Sequence, residues 1–317
     1  MSHKPLLYKN IPNDINEMIL PDITKSRLLQ KISTKNVGNI IITGNNGVGK
    51  TLSINIVTKK IYGDKLNECC LFLNTGSNRG LQDLKNVIED FCTREVDFIS
   101  RNGLHKLIFF DDADNITKKA KNMIGNIMDI NENVNFVFVC NNLDNISLKI
   151  KSKCEFLLME NIKTDSIQKK LTDICINESV KYSKEGIKLI AKNSKGDIRK
   201  SINALDSIIN CYSYVNTNCV EELSFQPKSK ELNQLINSCI NGDLKKSLEI
   251  LNDTKNKGYC YFDILVTMID VIKNSNLIQE IKIRFINIIS KCLYIISSGL
   301  ESEIQVYNCI VELITNK

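Results

Sequence analysis

Asn39-Ile40-Ile41-Ile42-Thr43-Gly44-Asn45-Asn46-Gly47-Val48-Gly49-Lys50-Thr51 decides the fold. The run Asn39–Thr43 is apolar and rich in β-branched residues, which predicts a buried strand. The next eight residues fit G-x-x-x-x-G-K-[ST], and the pattern over Lys50–Tyr62 has helical period. A strand that turns through glycines into a helix lets backbone N–H groups close around a phosphate, and the helix N-terminus adds its positive end. Gly44, Asn45, Asn46, Gly47, Val48 and Gly49 are therefore expected to cradle the phosphates of ATP. Lys50 is expected to reach the β- and γ-phosphates, and Thr51 to hold Mg²⁺.

Working outward, four further strands are expected at Glu68–Leu73, Lys106–Phe110, Asn135–Cys140 and Glu155–Met159. Helical patterns at Leu81–Ser100 and Thr117–Ile130 alternate with them, which implies βαβ units and a parallel sheet of five strands covered on both faces. After about residue 160 the pattern turns helical: Thr164–Ile176, Lys184–Ala191 and Asp197–Ile209, then Lys230–Ile240, Leu244–Asn252, Phe262–Ile272, Ile278–Ser297 and Glu303–Thr315. The fold class is thus α/β plus all-α. Its expected division is a nucleotide-binding domain over 1–160, a small helical lid over 161–225 and a helical domain over 226–317, hinged at Gln226-Pro227-Lys228.

Composition narrows the class further. In 317 residues, 43% are hydrophobic and 25% charged, an ordinary globular balance, and no apolar run approaches the roughly 20 residues of a membrane span. Met1–Tyr8 lacks a secretory core, so a reducing compartment is expected and the twelve cysteines are expected as free thiols. No C-x-x-C occurs and there are two histidines, His3 and His105, so zinc is not expected. The net charge of +6 favours polyanions mildly. With 36 Lys against 6 Arg and four Ala, the usage resembles that of an AT-rich genome. A surviving Arg is then worth inspecting, because only the planar guanidinium can fork onto phosphate.

Leu107-Ile108-Phe109-Phe110 runs into Asp111-Asp112-Ala113-Asp114. If this strand neighbours the phosphate-loop strand, Asp111 becomes the Mg²⁺ partner and Asp112 the group that orients the attacking water. Asn141-Asn142 closes the strand Asn135–Cys140 and can offer an amide to the γ-phosphate. Gly196-Asp197-Ile198-Arg199-Lys200 opens a helix outside the sheet, with Arg199 a candidate to clamp the same phosphate. The residues read as an ATP-dependent switch with a helical lid.

In order, the phosphate loop, LIFFDDAD, Cys140-Asn141-Asn142, Ser152-Lys153-Cys154 and Gly-Asp-Ile-Arg-Lys-Ser-Ile-Asn resemble the small subunits of replication factor C, the sliding-clamp loaders of the AAA+ class. Tyr8-Lys9 with Pro12–Leu20, and Asn74–Leu81, are similar to further family segments, and five helices after Pro227 fit its C-terminal collar. The resemblance implies a pentameric spiral of sister subunits, large and small. ATP would sit between neighbours, open the clamp, and be hydrolysed once primer–template DNA enters. It implies Asn141 as first sensor, Arg199 as second, and Lys153 in the place of the arginine finger that acts in trans on the next subunit's ATP. Backbone contacts to DNA are expected from Arg79, Lys118, Lys119 and Lys121.

Two departures stand out. The family has Asp-Glu where this chain has Asp111-Asp112, and Ser-Arg-Cys where it has Lys153; an arginine finger is worth ~10³-fold or more in rate. Good ATP binding with slow hydrolysis is therefore expected. The competing class is another AAA+ DNA-associated ATPase, of origin-binding or branch-migration type, or a subunit whose ATP site is structural. The helical C-terminus favours the collar over a winged helix. The expected location is intracellular, at replication sites: a nucleus, or host cytoplasm and its viral factory for a large DNA virus.

Overall fold

The computed structural model describes residues 4–74, 81–223 and 227–315. They form two compact units, 1–219 and 220–317. The first runs α1 (Leu6–Lys9), α2 (Asp22–Thr34), β1 (Ile40–Gly44), α3 (Lys50–Tyr62), α4 (Leu66–Cys69), β2 (Cys70–Asn74), α5 (Leu81–Thr93) and α6 (Asp97–Asn102). It continues through β3 (Lys106–Asp111), α7 (Lys118–Ile130), β4 (Val134–Cys140), α8 (Leu148–Lys151), β5 (Glu155–Met159), α9 (Thr164–Asn177), β6 (Lys181–Tyr182), α10 (Lys184–Asn193), α11 (Ile198–Tyr212) and β7 (Tyr214–Val215).

The five main strands are all parallel in the order β2-β3-β4-β1-β5. Every residue of β1 from Ile40 to Thr43 is buried, because helices cover both faces of the sheet. Alternation along β1 sends Ile40 and Ile42 into one core with Leu28 of α2 and Ile54 and Val57 of α3. It sends Ile41 into the other, with Ile88 of α5, Ile124 of α7 and Phe138 of β4. Phe110 and Phe138 stack there with ring centroids 5.0 Å apart.

This order corrects one sequence expectation. The acidic strand β3 does not neighbour the phosphate-loop strand β1; β4 lies between them, registered Ile40↔Val137 on one side and Ile108↔Phe136 on the other. The expected single helix Leu81–Ser100 is also two. Val96 is extended (φ −130°, ψ 105°) and buried, so its side chain enters the core at the cost of helical continuity. The buried Lys106 amine caps the end of α5, donating to the carbonyls of Phe91 at 3.0 Å, Cys92 at 2.8 Å and Arg94.

Helices α9, α10 and α11 pack around Ile167, Leu171, Ile187, Ile190, Ile202 and Leu205, joined by the small parallel ribbon β6–β7. Beyond α12 (Thr217–Leu223), the second unit holds α13 (Ser229–Asn241), α14 (Leu244–Asn256), α15 (Tyr261–Asn274), α16 (Gln279–Ser297) and α17 (Glu303–Thr315). Leu235, Ile264, Met268, Phe285, Ile289 and Ile310 are fully buried or nearly so at its centre. None of the helices described is long and apolar enough to cross a membrane.

Candidate nucleotide site

The loop after β1 is shaped by glycines whose conformation other residues resist. Gly47 has φ 70°, and a Cβ there would lie 1.7 Å from Asp197 Oδ1; Gly49, the N-cap of α3, has φ 97°. At the start of α3 the Lys50 amine is buried and spends its three protons locally. It donates to the Gly44 carbonyl at 2.7 Å, the Asn45 carbonyl at 2.8 Å and Asn141 Oδ1 at 2.8 Å. Burial lowers its pKa, and Cys140, Asp112, Asp114 and Asp111 oppose that shift. The sequence-predicted sensor Asn141 thus meets the sequence-predicted phosphate lysine directly.

The inserted strand explains how β3 still serves this loop. Thr51 Oγ1 donates to Asp111 Oδ1 at 3.0 Å, across the end of β4. Asp112 follows in the left-handed region (φ 52°, ψ 47°) with an exposed side chain. That backbone state is enriched for Asp but costs of order 1 kcal/mol or more. It ends β3 abruptly at the crevice outside the carboxyl ends of the strands, where ligands of such sheets bind.

Sequence reasoning gave no role to two residues that position the site, Asp114 and Asp197. Asp114 accepts the backbone N–H of Asn141 at 2.6 Å and of Asn142 at 3.1 Å, tying the β3 turn to the end of β4. Asp197 N-caps α11, accepting from Lys200 N at 2.9 Å, and its carboxylate lies against Gly47; Ile198 N–H donates to the Gly47 carbonyl at 3.3 Å. This contact brings Arg199, exposed on the first turn of α11, to the rim of the loop. The cap was visible in Gly-Asp-Ile-Arg, but its contact 150 residues upstream has no local signal. One expected DNA contact is corrected: Lys121 does not stand in solvent. It is 5% exposed and its amine donates to the carbonyls of Asp114, at 3.1 Å, and Asn145. Lys118 and Lys119 are exposed as expected, and Arg79 lies outside the described residues.

Lys153 is set apart from all of these. It precedes β5, whose Glu155 pairs with Ile40 at the start of β1, whereas Gly44 pairs with Met159 at the other end. Four strand residues of about 3.3 Å each put Glu155 roughly 13 Å below the loop, and Lys153 lies two residues before it. Its amine donates to the Gly125 carbonyl at 2.7 Å and to Asp129, and Lys149 pairs with the same carboxylate at 3.0 Å. The Asp129 pKa is lowered by its hydrogen bonds to Lys153 and Lys149.

A hydroxyl and a carboxylate 3.0 Å apart are hard oxygen donors of the kind Mg²⁺ takes. No group of three His, Cys, Asp or Glu that could hold a metal occurs among the described residues, so the cation's remaining ligands would be phosphate and water. The residues fit a magnesium nucleotide.

A parallel sheet with the phosphate loop on β1, acids on β3 and a polar strand end between them is the construction of an AAA+ ATPase. Residues 40–161 match the family model of ATPases associated with various cellular activities, 169–209 the RCF1/5-like AAA+ ATPase lid domain, and 227–312 the replication factor C C-terminal domain. A replication factor C small subunit of Acanthamoeba polyphaga mimivirus is 30% identical over 311 residues, 98% of this chain and 96% of that one. Replication factor C subunit 4 of Schizosaccharomyces pombe is 27% identical over 98% of this chain and 90% of its own length. Among solved structures, the Thermotoga maritima RuvB Holliday junction branch migration motor shares the fold, with TM-score 0.56 and 14% identity over 81% of this chain and 90% of that one. The chain belongs to the replication factor C small-subunit family, the AAA+ subunits of clamp loaders.

Proposed function

We propose that this subunit binds ATP with Mg²⁺ on the Gly44–Thr51 loop and hydrolyses it slowly, in a pentamer that opens a sliding clamp and sets it on primer–template DNA. The observation that carries this reading is the meeting of Lys50, Asn141, Thr51 and Asp111 at one end of the sheet. Backbone N–H groups of the loop hold the β-phosphate, and Lys50 turns from the Gly44 and Asn45 carbonyls to the γ-phosphate. Thr51 and Asp111 hold the cation, which neutralises charge developing on the phosphates. Asp112 orients the attacking water; one methylene shorter than Glu, it reaches less far. Asn141 reads the γ-phosphate and Arg199 clamps it from the lid.

Lys153, at the opposite end of the sheet, serves the ATP of the next subunit, which is why sister subunits complete the catalytic site. As a point charge it substitutes weakly for a forked guanidinium. DNA is followed by its phosphates, with Lys118 and Lys119 on the tracking surface. Residues 1–160, 161–225 and 226–317 act as motor, lid and collar. The likeness to the mimivirus subunit and the Lys-rich usage support work in a viral factory in host cytoplasm; a nuclear replication site is the cellular counterpart. The test is Lys50→Ala, which is expected to abolish ATP binding by calorimetry with little change in melting temperature. Full ATP affinity in that variant would remove the phosphate-loop assignment.

A further inference from the structure

Charge on this chain is unevenly spread. Between Lys181 and Lys200 there are seven basic side chains and two acidic ones, a net +5 within a chain whose total is +6. The concentration lies on the lid. Lys184, Lys188, Lys192 and Lys195 follow one another at intervals of four, four and three residues, and all four are exposed. At about 100° per residue Lys184, Lys188 and Lys192 occupy an arc of about 80° on α10, with four-residue steps of about 6 Å along the axis; Lys195 lies just past the helix end with φ 51°. The opposite side of α10 is spent on packing: Ile187, Ile190 and Ala191 are buried.

Some exposed lysines elsewhere on the chain pair with carboxylates, as in Lys9–Glu178, Lys65–Glu68 and Lys257–Glu231. Among the described residues, the side-chain ammonium groups of Lys184, Lys188 and Lys192 make no ion pair or hydrogen bond. A row of unpaired like charges is unfavourable by itself, since neighbours four apart on a helix repel. Drift toward Lys in an AT-rich genome accounts for Lys in place of Arg, but not for one helix face that carries lysines at four-residue steps; Glu185 is the single acid on α10.

We propose that α10 is a docking row for the phosphate backbone of nucleic acid, an additional contact of the lid with DNA. This inference rests on the reading that DNA is a partner of this subunit. The chemistry of the row selects the occupant. A protein partner would want an apolar centre in the patch, and no large apolar residue is exposed from Lys184 to Lys195. A membrane would want the apolar face of the helix, and that face is buried against the lid core. Evenly stepped ammonium groups suit evenly stepped phosphates and read no bases, in keeping with backbone contact alone.

The test compares the full chain with its K184Q/K188Q/K192Q variant, by anisotropy of a labelled duplex of roughly three helical turns across a salt series. Each neutralised phosphate contributes about −0.9 to the slope of log Kobs against log[salt], so loss of three contacts should make the slope shallower by about 2.7. Affinity near 0.1 M salt should fall tenfold or more, with ATP affinity and melting temperature unchanged. K184R/K188R/K192R should restore both slope and affinity. An unchanged slope would overturn the proposal, as would intact DNA binding accompanied by lost association with sister subunits or with anionic vesicles. A K118Q/K119Q control separates the two readings: if the wild-type chain binds duplex and only this control weakens it, the α10 row fails and DNA as a partner stands. A wild-type chain with no affinity for duplex sinks both, and leaves ATP binding as it was.

Discussion

Removing the Asp114 carboxylate should leave nucleotide binding nearly intact while crippling hydrolysis. Asp114 touches neither the loop nor Lys50; it holds the N–H groups of Asn141 and Asn142 at 2.6 and 3.1 Å. Hydrogen bonds to a charged acceptor are worth about 1.5–3 kcal/mol each when nothing replaces them. Asn141 and Asn142 are exposed, so water can re-pair both amides. Asp114→Ala should therefore cost only about 1.5–3 kcal/mol, or roughly 3–12 °C of melting temperature at about 2–4 °C per kcal/mol for a unit of this size. The functional cost is larger, because Asn141 Oδ1 is placed on the Lys50 amine at 2.8 Å only while its backbone is pinned. A displacement of about 1 Å at such a group is worth on the order of 10²-fold in rate. In the reconstituted pentamer, single-turnover hydrolysis should fall ~10- to 100-fold while the ATP dissociation constant stays within about threefold. Asp114→Asn, which keeps one acceptor oxygen, should fall between. Turnover within twofold of wild type in a folded Asp114→Ala protein would refute the reasoning; equal loss of ATP and ADP binding would show collapse of the loop instead.

Gly47→Ala puts a Cβ 1.7 Å from Asp197 Oδ1 at φ 70°, and should lower stability by about 1–3 kcal/mol and weaken ATP binding, measured by thermal melts with and without nucleotide. Lys153→Arg should raise ATPase turnover of the pentamer with clamp and primed DNA; no gain would defeat the idea that Lys153 is a handicapped finger. Burial pushes the Cys92, Cys154 and Cys175 thiols up from 9.0 to about 11, about 12 and about 11. The unfolded chain then releases these protons first, so their share of stability is complete below pH ~9 and is lost as pH rises toward 11–12, visible in urea midpoints. At pH 8, iodoacetamide should modify the exposed Cys211 well before Cys154, as peptide mapping would reveal.

Much of the site was legible because its parts are contiguous. The phosphate loop, the acids ending β3, the amide ending β4 and the Gly-Asp-Ile-Arg turn each lie within a few residues of a strand end or helix start, where local pattern suffices. The helix α3 begins and ends where its periodicity says, and the five strands fall within about two residues of their apolar runs. Short elements escaped: the two-residue strands β6 and β7 and the four-residue helices α1, α4 and α8 are too brief for any period to register. The longer α2 escaped too, because it buries only Thr24 and Leu28 and so shows little apolar stripe.

What this chain's sequence determined unaided is its chemistry: a strand, a glycine turn, Lys50 and Thr51 can do little but hold phosphates. What tertiary structure decided is who meets whom. Strand order put β4 between the loop and the acids, so Asn141 rather than an acid faces Lys50. Lysines look alike in a sequence, yet Lys106 and Lys121 are buried donors to backbone carbonyls while Lys118 and Lys184 stand in solvent. Whether an ammonium group can leave water depends on the carbonyls that converge on it. Those come from residues up to 24 positions away, brought together only when the sheet closes.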